Sequence, residues 1–118
     1  MPDVSFDAGS GVFEIKGRSY DEEVVELYED ILLWLDKYIE VPLSSTKLKF
    51  KTDYFSTSSY KYFVQIIKKI EQILDKNHTV KIIWYYEKDD EEIMESGENL
   101  KEITSIPVEV KELKSLVK

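Results

Sequence analysis

The 118-residue chain has 42% hydrophobic residues, a formal net charge of -8 and a pI near 4.7, which predict one domain over residues 1–118 with a packed core. The acidic balance argues against nucleic acid or an anionic membrane as partner, and the lack of cysteine excludes disulfides, thiolate metal sites and thiol nucleophiles. Because the sequence shows neither a signal segment nor an apolar run long enough to span a membrane, we expect a cytoplasmic protein.

Two short strands are predicted first, over residues 4–7 and 12–16, with a glycine-containing turn between them. Ser19 and Glu22 then have the spacing of a capping box, which predicts a helix over residues 20–39. The buried face of this helix is predicted from a wide apolar stripe at helical spacing. The stripe consists of Val24, Leu27, Tyr28, Ile31, Leu32, Trp34, Leu35 and Tyr38.

A third strand is predicted over residues 46–54, where apolar and charged side chains alternate. In this pattern Leu48, Phe50 and Tyr54 face the core, and the lysines between them face solvent. The lysine row also suits a phosphate-binding stripe, but strand alternation alone explains it. The next predicted strand covers residues 79–87 and has an apolar face of the same kind.

The second face of that strand carries Ile83 and Tyr85, which would be exposed or covered by a partner. A third helix is predicted to begin in the acidic run 89–92 and to end before Pro107, with a short edge strand after it. The acidic run also suits a divalent cation, but the sequence offers no partner ligands elsewhere. We therefore predict no metal ion and no cofactor.

These elements predict the order β-β-α-β-α-β-α with a further edge strand. Each β-α-β crossing should be right-handed, which places the helices on one face of the sheet and leaves the lysine-bearing face open. The predicted fold class is therefore α/β, a two-layer sandwich with a mixed sheet of four to five strands.

A run of four hydroxyl residues, 56–59, joins the third strand to a second helix that is predicted over residues 59–77. One or two hydroxyls would suffice to accept hydrogen bonds from the unpaired N–H groups at a helix start. A hydroxyl there also lies where those groups and the helix dipole favour negative charge, so the run suits attachment of a phosphate. The alternative is an N-cap with polar neighbours.

Catalysis is not expected, because the parts of a catalytic site are missing. The sequence has no glycine-rich phosphate loop, no nucleophile elbow and no set of metal ligands. A serine or threonine nucleophile would need an activating base, and only His78 or a lysine with a lowered pKa is available. An interaction module is the better class.

Three stretches of the sequence resemble the SiaC family of regulatory phosphoproteins. They are Gly17-Arg18-Ser19-Tyr20, Tyr54-Phe55-Ser56-Thr57-Ser58-Ser59 followed by Lys61, and Trp84-Tyr85-Tyr86-Glu87 leading into Asp89-Asp90-Glu91. The resemblance covers residues 6–107, and the hydroxyl run is its most specific part. It implies a fold similar to the STAS domains of anti-anti-sigma factors.

The resemblance also implies a phosphorylation switch. In this family a threonine that matches Thr57 is phosphorylated by a serine/threonine kinase and dephosphorylated by a PP2C-type phosphatase. The unphosphorylated form binds and activates a diguanylate cyclase, which raises cyclic di-GMP. This chain departs from the family pattern at Ser56, where asparagine is usual, and at Asp21, where proline is common.

We expect the hydroxyl loop to be the docking surface, and phosphate at Thr57 to block docking by charge and by its hydration. The expected partner-binding residues are Tyr54, Phe55, Ser56, Ser58, Ser59, Lys61 and Tyr62. Two other interpretations remain open. One is a STAS-like adaptor in a partner-switching kinase and phosphatase pathway that acts on another target, and the other is a structural domain whose hydroxyl run only caps a helix.

Overall fold

The computed structural model describes residues 1–20, 22–75 and 77–113, so the acidic Asp21 and the tail after residue 113 lie outside the described residues. The described residues form five strands and three helices. They are β1 (Asp3–Asp7), β2 (Val12–Ser19), α1 (Glu23–Tyr38), β3 (Ser45–Phe55), α2 (Thr57–Glu71), β4 (Thr79–Tyr86), α3 (Glu91–Ile103) and β5 (Val108–Glu112).

The strands form one mixed sheet in the order β1-β2-β3-β4-β5. Strand β1 is antiparallel to β2, and the other neighbouring strands are parallel. Each parallel connection passes through a helix to the next strand along the sheet, so α1, α2 and α3 cover the same face. The predicted fold class and order of elements are confirmed. No helix within the described residues is long and apolar enough to cross a membrane.

The core lies between this helical layer and the sheet, where the inward positions of the strands meet the apolar stripes of the helices. Its fully buried large side chains include Phe13, Ile15, Tyr28, Leu35, Leu48, Phe50, Phe63, Ile66, Ile67, Ile70, Ile82 and Trp84. The predicted stripe of α1 is confirmed, since six of its members are buried and Leu27 and Trp34 are half-buried against the core.

The start of α3 is anchored to Trp84 at the centre of the core. The indole Nε1 donates a hydrogen bond to the carbonyl oxygen of Ile93 at 2.7 Å. Gly97, one turn later, lies directly against the indole ring, and a Cβ atom there would clash with Cδ1 of Trp84. Glycine is therefore required at this position by a close approach between the helix and the ring.

The open face of the sheet carries the lysines that alternate along β3. Ile83 of β4 lies among them and is only 7% exposed, and Tyr85 is half-buried with the Lys51 ammonium 5.1 Å from its ring centroid. Lys51 thus covers the Tyr85 ring, and Ile83 lies between Lys49 and Glu109 of the neighbouring strands. Neither apolar group is therefore left fully exposed on this face.

Ser19 does not cap a helix, so the predicted capping box is wrong. Strand β2 continues through Ser19, which pairs with Phe55 of β3, and the first helix begins only at Glu23. The side chain of Ser19 is fully buried, because it follows Phe13 and Ile15 on the inward face of the strand. Pairing with the neighbouring strand therefore prevails over the local capping signal.

Tyr54 does not face the core as strand alternation predicts. The pairing of β2 with β3 shifts between Gly17 and Arg18, because Gly17 pairs with Thr52 and Arg18 with Tyr54. One additional residue, Asp53, is thereby inserted into β3, and such a bulge reverses the alternation beyond it. Tyr54 consequently turns outward with 45% of its surface exposed.

Helix α2 spans Thr57–Glu71 rather than residues 59–77. It begins two residues earlier than predicted because Ser56, at the start of the hydroxyl run, is the N-cap. It also ends earlier, and Ile73 beyond its end still packs into the core with 5% exposure. Because Ile73 continues the apolar spacing of the helix, the predicted helix extended beyond the true end at Glu71.

Candidate functional site

The hydroxyl run forms the start of helix α2. Ser56 has extended backbone dihedrals, with φ -81° and ψ 166°, and its Oγ accepts a hydrogen bond from the backbone N–H of Ser59 at 3.1 Å. Its carbonyl oxygen accepts the first helical bond from Tyr60 at 3.0 Å. Thr57 is therefore the first helical residue, with the cap supplied by its neighbour.

The four hydroxyls differ in their access to solvent. The side chains of Thr57 and Ser58 are exposed, Ser56 is half-buried, and Ser59 is fully buried. A kinase or phosphatase must bring the acceptor oxygen into its own active site. Within the folded protein, only Thr57 and Ser58 of this run meet that requirement.

A chain of hydrogen-bonded hydroxyls leads from the run into the core. Ser56 and Ser19 each donate to the Oγ of Ser59, at 3.2 and 2.7 Å, and Ser19 is bonded in turn to the hydroxyl of Tyr28 at 2.6 Å. Burial raises the pKa of Tyr28 to about 12, so this phenol stays protonated at any physiological pH. The chain fixes the start of α2 against β2 and α1.

The backbone reinforces this fixation. The N–H of Ser56 donates to the carbonyl oxygen of Ser19 at 2.9 Å, which extends the pairing of the two strands up to the cap. The loop between β3 and α2 is therefore a single residue held on both sides. A partner or an enzyme that approaches Thr57 meets a preformed surface.

The start of α2 also differs electrostatically from the starts of the other described helices. The first turn of α1 contains Glu23 and Glu26, and that of α3 contains Glu91 and Glu92, but that of α2 contains no acidic residue. The partial positive charge at a helix N-terminus is thus not offset by a carboxylate at α2. A phosphate on Thr57 would supply that charge.

The remaining residues that were predicted to bind a partner fall into three groups. Tyr54, Ser58 and Lys61 are exposed and can contact another protein. Phe55 and Tyr62 are half-buried and brace the site. Ser59 has no exposed surface, which corrects its predicted role as a contact residue. Its hydroxyl instead positions the run through the buried chain described above.

The bracing by Phe55 and Tyr62 is specific. The Phe55 ring stacks on that of Tyr60 with 5.6 Å between centroids and meets Trp84 edge-on at the same distance. Tyr62 donates its hydroxyl hydrogen to Glu29 of α1 at 2.9 Å and stacks on Tyr28 at 5.4 Å. The hydrogen bond to Glu29 raises the pKa of Tyr62.

Sequence reasoning missed Ser19 and Tyr28 as parts of this site, and also Arg18 and Tyr20, which contact Tyr54. A signal for Ser19 was present, because it continues the inward alternation of Phe13 and Ile15. No local signal pairs it with Tyr28, since their contact depends on how α1 packs on the sheet.

Comparisons with known proteins agree with this architecture. Residues 1–113 match the family model described as SiaC family regulatory phosphoprotein. An uncharacterised protein of Pseudomonas aeruginosa strain UCBPP-PA14 is 26% identical over 106 residues, which cover 90% of this chain and 84% of that protein.

Solved structures from Pseudomonas aeruginosa share the fold. A chain in the crystal structure of diguanylate cyclase SiaD in complex with its activator SiaC superposes with a TM-score of 0.86 and 24% identity, over 96% of this chain and 93% of that one. SiaC by itself superposes with a TM-score of 0.82 and 23% identity, over 95% and 90% of the two chains.

Proposed function

Because the chain belongs to the SiaC family of regulatory phosphoproteins, we propose that it is a cytoplasmic switch that acts by binding rather than by catalysis. In its unphosphorylated form it binds and activates a diguanylate cyclase and so raises cyclic di-GMP. A serine/threonine kinase adds a phosphate to Thr57, and a PP2C-type phosphatase removes it. The choice of partner is supported by the solved SiaC, which is described as the activator of the diguanylate cyclase SiaD.

The observation that carries this proposal is the exposure of Thr57 at the first position of α2, next to a cap that does not involve it. Because Ser56 supplies the cap, a phosphate on Thr57 leaves the hydrogen bonds of the helix start in place. The helix dipole and the absence of an acidic residue in the first turn make the added charge tolerable to the fold. Phosphorylation would therefore change the surface and leave the structure intact.

Although the fold tolerates a phosphate on Thr57, a bound partner would not. A phosphate brings about 1.5 to 2 negative charges and a tightly held hydration shell to the surface. A partner that covers Thr57 would have to strip that shell or supply arginine or lysine to pair with it. With neither, desolvation and repulsion break the complex, and the cyclase loses its activator.

An assay of cyclic di-GMP synthesis tests the switch. Diguanylate cyclases of the source organism are purified and assayed alone and with the full chain, in its unphosphorylated and kinase-phosphorylated forms. We expect one cyclase to be activated by the wild-type protein and by Thr57→Ala, and to respond at least about tenfold less to the phosphorylated protein, the loss that about 1.4 kcal/mol of binding free energy produces. The proposal is wrong if no cyclase responds or if the phosphorylated form activates equally well.

Phosphopeptide mapping identifies the acceptor. The protein is isolated from its native cells as the wild type, as Thr57→Ala and as Ser58→Ala, which removes the second exposed hydroxyl of the run. We expect phosphate on the wild type and on the Ser58 variant, and none on the Thr57 variant. Phosphate at Ser58, or an unmodified loop under all growth conditions, would contradict the assignment.

A further inference from the structure

The bulge at the end of β3 assembles a cluster of three side chains that the proposed switch does not explain. Gly17 adopts φ +98°, a conformation that glycine tolerates best, just where the pairing of β2 and β3 shifts by one residue. The shift brings Arg18 opposite Tyr54 and turns the tyrosine outward. Bulges commonly serve to re-aim a side chain in this way.

The three side chains contact one another closely. The guanidinium carbon of Arg18 lies 5.1 Å from the ring centroid of Tyr54 and 5.5 Å from that of Tyr20. The two rings meet edge-to-face with 5.6 Å between centroids and 72° between planes. The guanidinium group and the two rings thus form a triangle in which each group contacts the other two, so the orientation of the arginine is restricted before any partner binds.

This cluster is exceptional among the aromatic residues of the chain. The chain has two tryptophans, eight tyrosines and five phenylalanines, all within the described residues. Of these, Tyr20 and Tyr54 are the two most exposed, at 51% and 45%, and their rings contact each other. Exposed tyrosines grouped around an arginine have the composition of the residues that dominate binding energy at protein interfaces.

We propose that Arg18, Tyr20 and Tyr54 form a docking site for an acidic segment of the cyclase, an inference that rests on the proposed function. The guanidinium group pairs with a carboxylate of that segment, and the tyrosine rings take up its neighbouring apolar side chain. Arginine presents a planar fork of donors that matches a carboxylate in two parallel hydrogen bonds.

Arg18 differs from the other cations near the cluster because it has no carboxylate partner among the described residues. Lys51 pairs with Glu14 at 3.7 Å, and Lys16 lies opposite Asp3 of β1 on the same face of the sheet. The residue opposite Arg18 in β3 is instead Tyr54, and the described ion pairs do not include Arg18. The guanidinium group is therefore the charge at this site that a carboxylate of a partner can pair with.

The position of the cluster connects it to the switch. Tyr54 precedes Thr57 by three residues. Phe55 and Ser56, which lie between them, are both bonded to β2 at Ser19, so the position of the cluster relative to Thr57 is fixed. A segment seated on Arg18 would extend toward the start of α2. A phosphate on Thr57 would then repel the carboxylate of the partner that is bound at Arg18 and so weaken the complex.

Binding measurements with the full chain test this docking site. The dissociation constant for the activated cyclase is measured by titration calorimetry for the wild type, Arg18→Met, Arg18→Lys and Tyr54→Ala. We expect Arg18→Met and Tyr54→Ala to weaken binding about tenfold or more, the loss typical of residues that anchor an interface. Arg18→Lys keeps the charge but loses the fork, so it should recover only part of the affinity.

Lys47→Met is the matched control, because Lys47 is an exposed cation on the same face of β3. It lies seven positions before Tyr54, about 23 Å away at about 3.3 Å per residue. We expect it to change the affinity less than about twofold. Arg18→Met should also reduce the dependence of binding on salt, whereas Tyr54→Ala should not.

The outcomes separate this inference from the proposed function. If the wild type binds no cyclase, both are wrong. If the wild type binds and the Arg18 and Tyr54 variants, shown to be folded by circular dichroism, bind within about twofold of it, the docking site alone is wrong. Equal losses for Arg18→Met and Lys47→Met would likewise overturn it, because they would reflect general charge and not this cluster.

Discussion

Helices α2 and α3 begin with the same hydrogen-bond arrangement but with opposite electrostatic character. At each start a side-chain oxygen, from Ser56 or from Asp90, accepts the backbone N–H three residues later at 3.1 Å. In α3 two further carboxylates follow, on Glu91 and Glu92, whereas in α2 the next residue is the exposed Thr57. The start of α3 therefore already carries negative charge, whereas the first turn of α2 carries none and could accept a phosphate.

Capping and charge compensation are therefore separate requirements at a helix start. Both helix starts satisfy their backbone donors, so neither needs a phosphate in order to fold. The starts are also anchored by different means, α3 through the Trp84 indole and α2 through the buried hydroxyl chain. Substitutions that break each anchor, or that exchange the charges, test whether the two starts differ as we describe.

The largest effect should come from breaking the anchor of α3 with Gly97→Ala. The added methyl group would clash with the Trp84 ring, and helix and ring cannot both stay in place. We expect the free energy of unfolding to fall by about 3 kcal/mol, at the upper end for an overpacked core position. Urea denaturation measures it. Gly9→Ala is the control, because its Cβ would meet only the exposed side chain of Asp7, and an equal loss there would argue against the clash.

Ser59→Ala should break the anchor of α2. It removes the acceptor that Ser19 and Ser56 share and leaves the buried Ser19 hydroxyl without that partner. We expect a loss of about 2 kcal/mol, about 1 kcal/mol for each of the two hydrogen bonds removed, because Ser19 keeps its bond to Tyr28. Ser58→Ala, one residue earlier but exposed, should change stability by less than about 0.5 kcal/mol. Similar values for the two variants would show that the buried chain does not hold the helix start.

The sequence predicted the α3 start better than the α2 start, and the reason is physical. The acidic run before the apolar stripe of α3 offers two aspartates as caps, of which Asp90 is used, whereas four consecutive hydroxyls offer four candidates. Which of them caps is decided by the pairing of β3 with β2, which ends at Phe55. That pairing is a tertiary contact, and local spacing cannot reveal it.

The same limit explains the other differences. Alternation predicted the inward residues of β3 correctly up to the bulge, but a bulge needs the register of the neighbouring strand to be known. Gly17 within a strand pattern was the available warning of an irregularity. From the sequence alone, Gly97 likewise predicts only a less stable helix. Its role in allowing close contact with Trp84 depends on how the helix packs on the sheet.

Glu71, the last residue of α2, links the C-terminal ends of α2 and α3. Its carboxylate accepts hydrogen bonds from the Thr104 hydroxyl at 2.6 Å and from the backbone N–H of Ser105 at 2.8 Å. These bonds, the first above all, lower the pKa of Glu71 from 4.5 to about 2. The C-terminal ends of α2 and α3 are thus held by one shared set of hydrogen bonds, whereas their starts are held by different ones.

Glu71→Gln should therefore cost stability in a pH-dependent way. A carboxylate with a lowered folded-state pKa stabilises the protein fully above its unfolded value near 4.5, and this contribution is lost as the pH falls toward 2. We expect the variant to be about 1–2 kcal/mol less stable at pH 7, with solvent screening included, and the difference to shrink below pH 4.5. Urea denaturation at pH 7 and pH 3 measures both values.

Glu98→Gln provides the matched control for Glu71→Gln. Glu98 lies in α3 and pairs at 2.9 Å with Lys101 of the same helix, with about half of each side chain exposed. We expect it to change stability by less than about 0.5 kcal/mol, as is typical of exposed pairs within a helix. If Glu71→Gln also lowered the free energy of unfolding by less than about 0.5 kcal/mol, or lowered it equally at pH 7 and pH 3, the carboxylate of Glu71 would not stabilise the helix ends as we describe.

The smallest effects come from exchanging the charges themselves. Thr57→Glu gives α2 the carboxylate that α3 already has, and Asp90→Asn removes one from α3 while keeping an oxygen for the cap. At low ionic strength we expect the first to raise and the second to lower the free energy of unfolding by about 0.3–1 kcal/mol. In 1 M salt both changes should nearly vanish, because the screening length falls to about 3 Å. If Thr57→Glu instead lowers stability at low salt, negative charge at this position strains the fold, and phosphorylation would act by loosening the helix start and not by altering an intact surface.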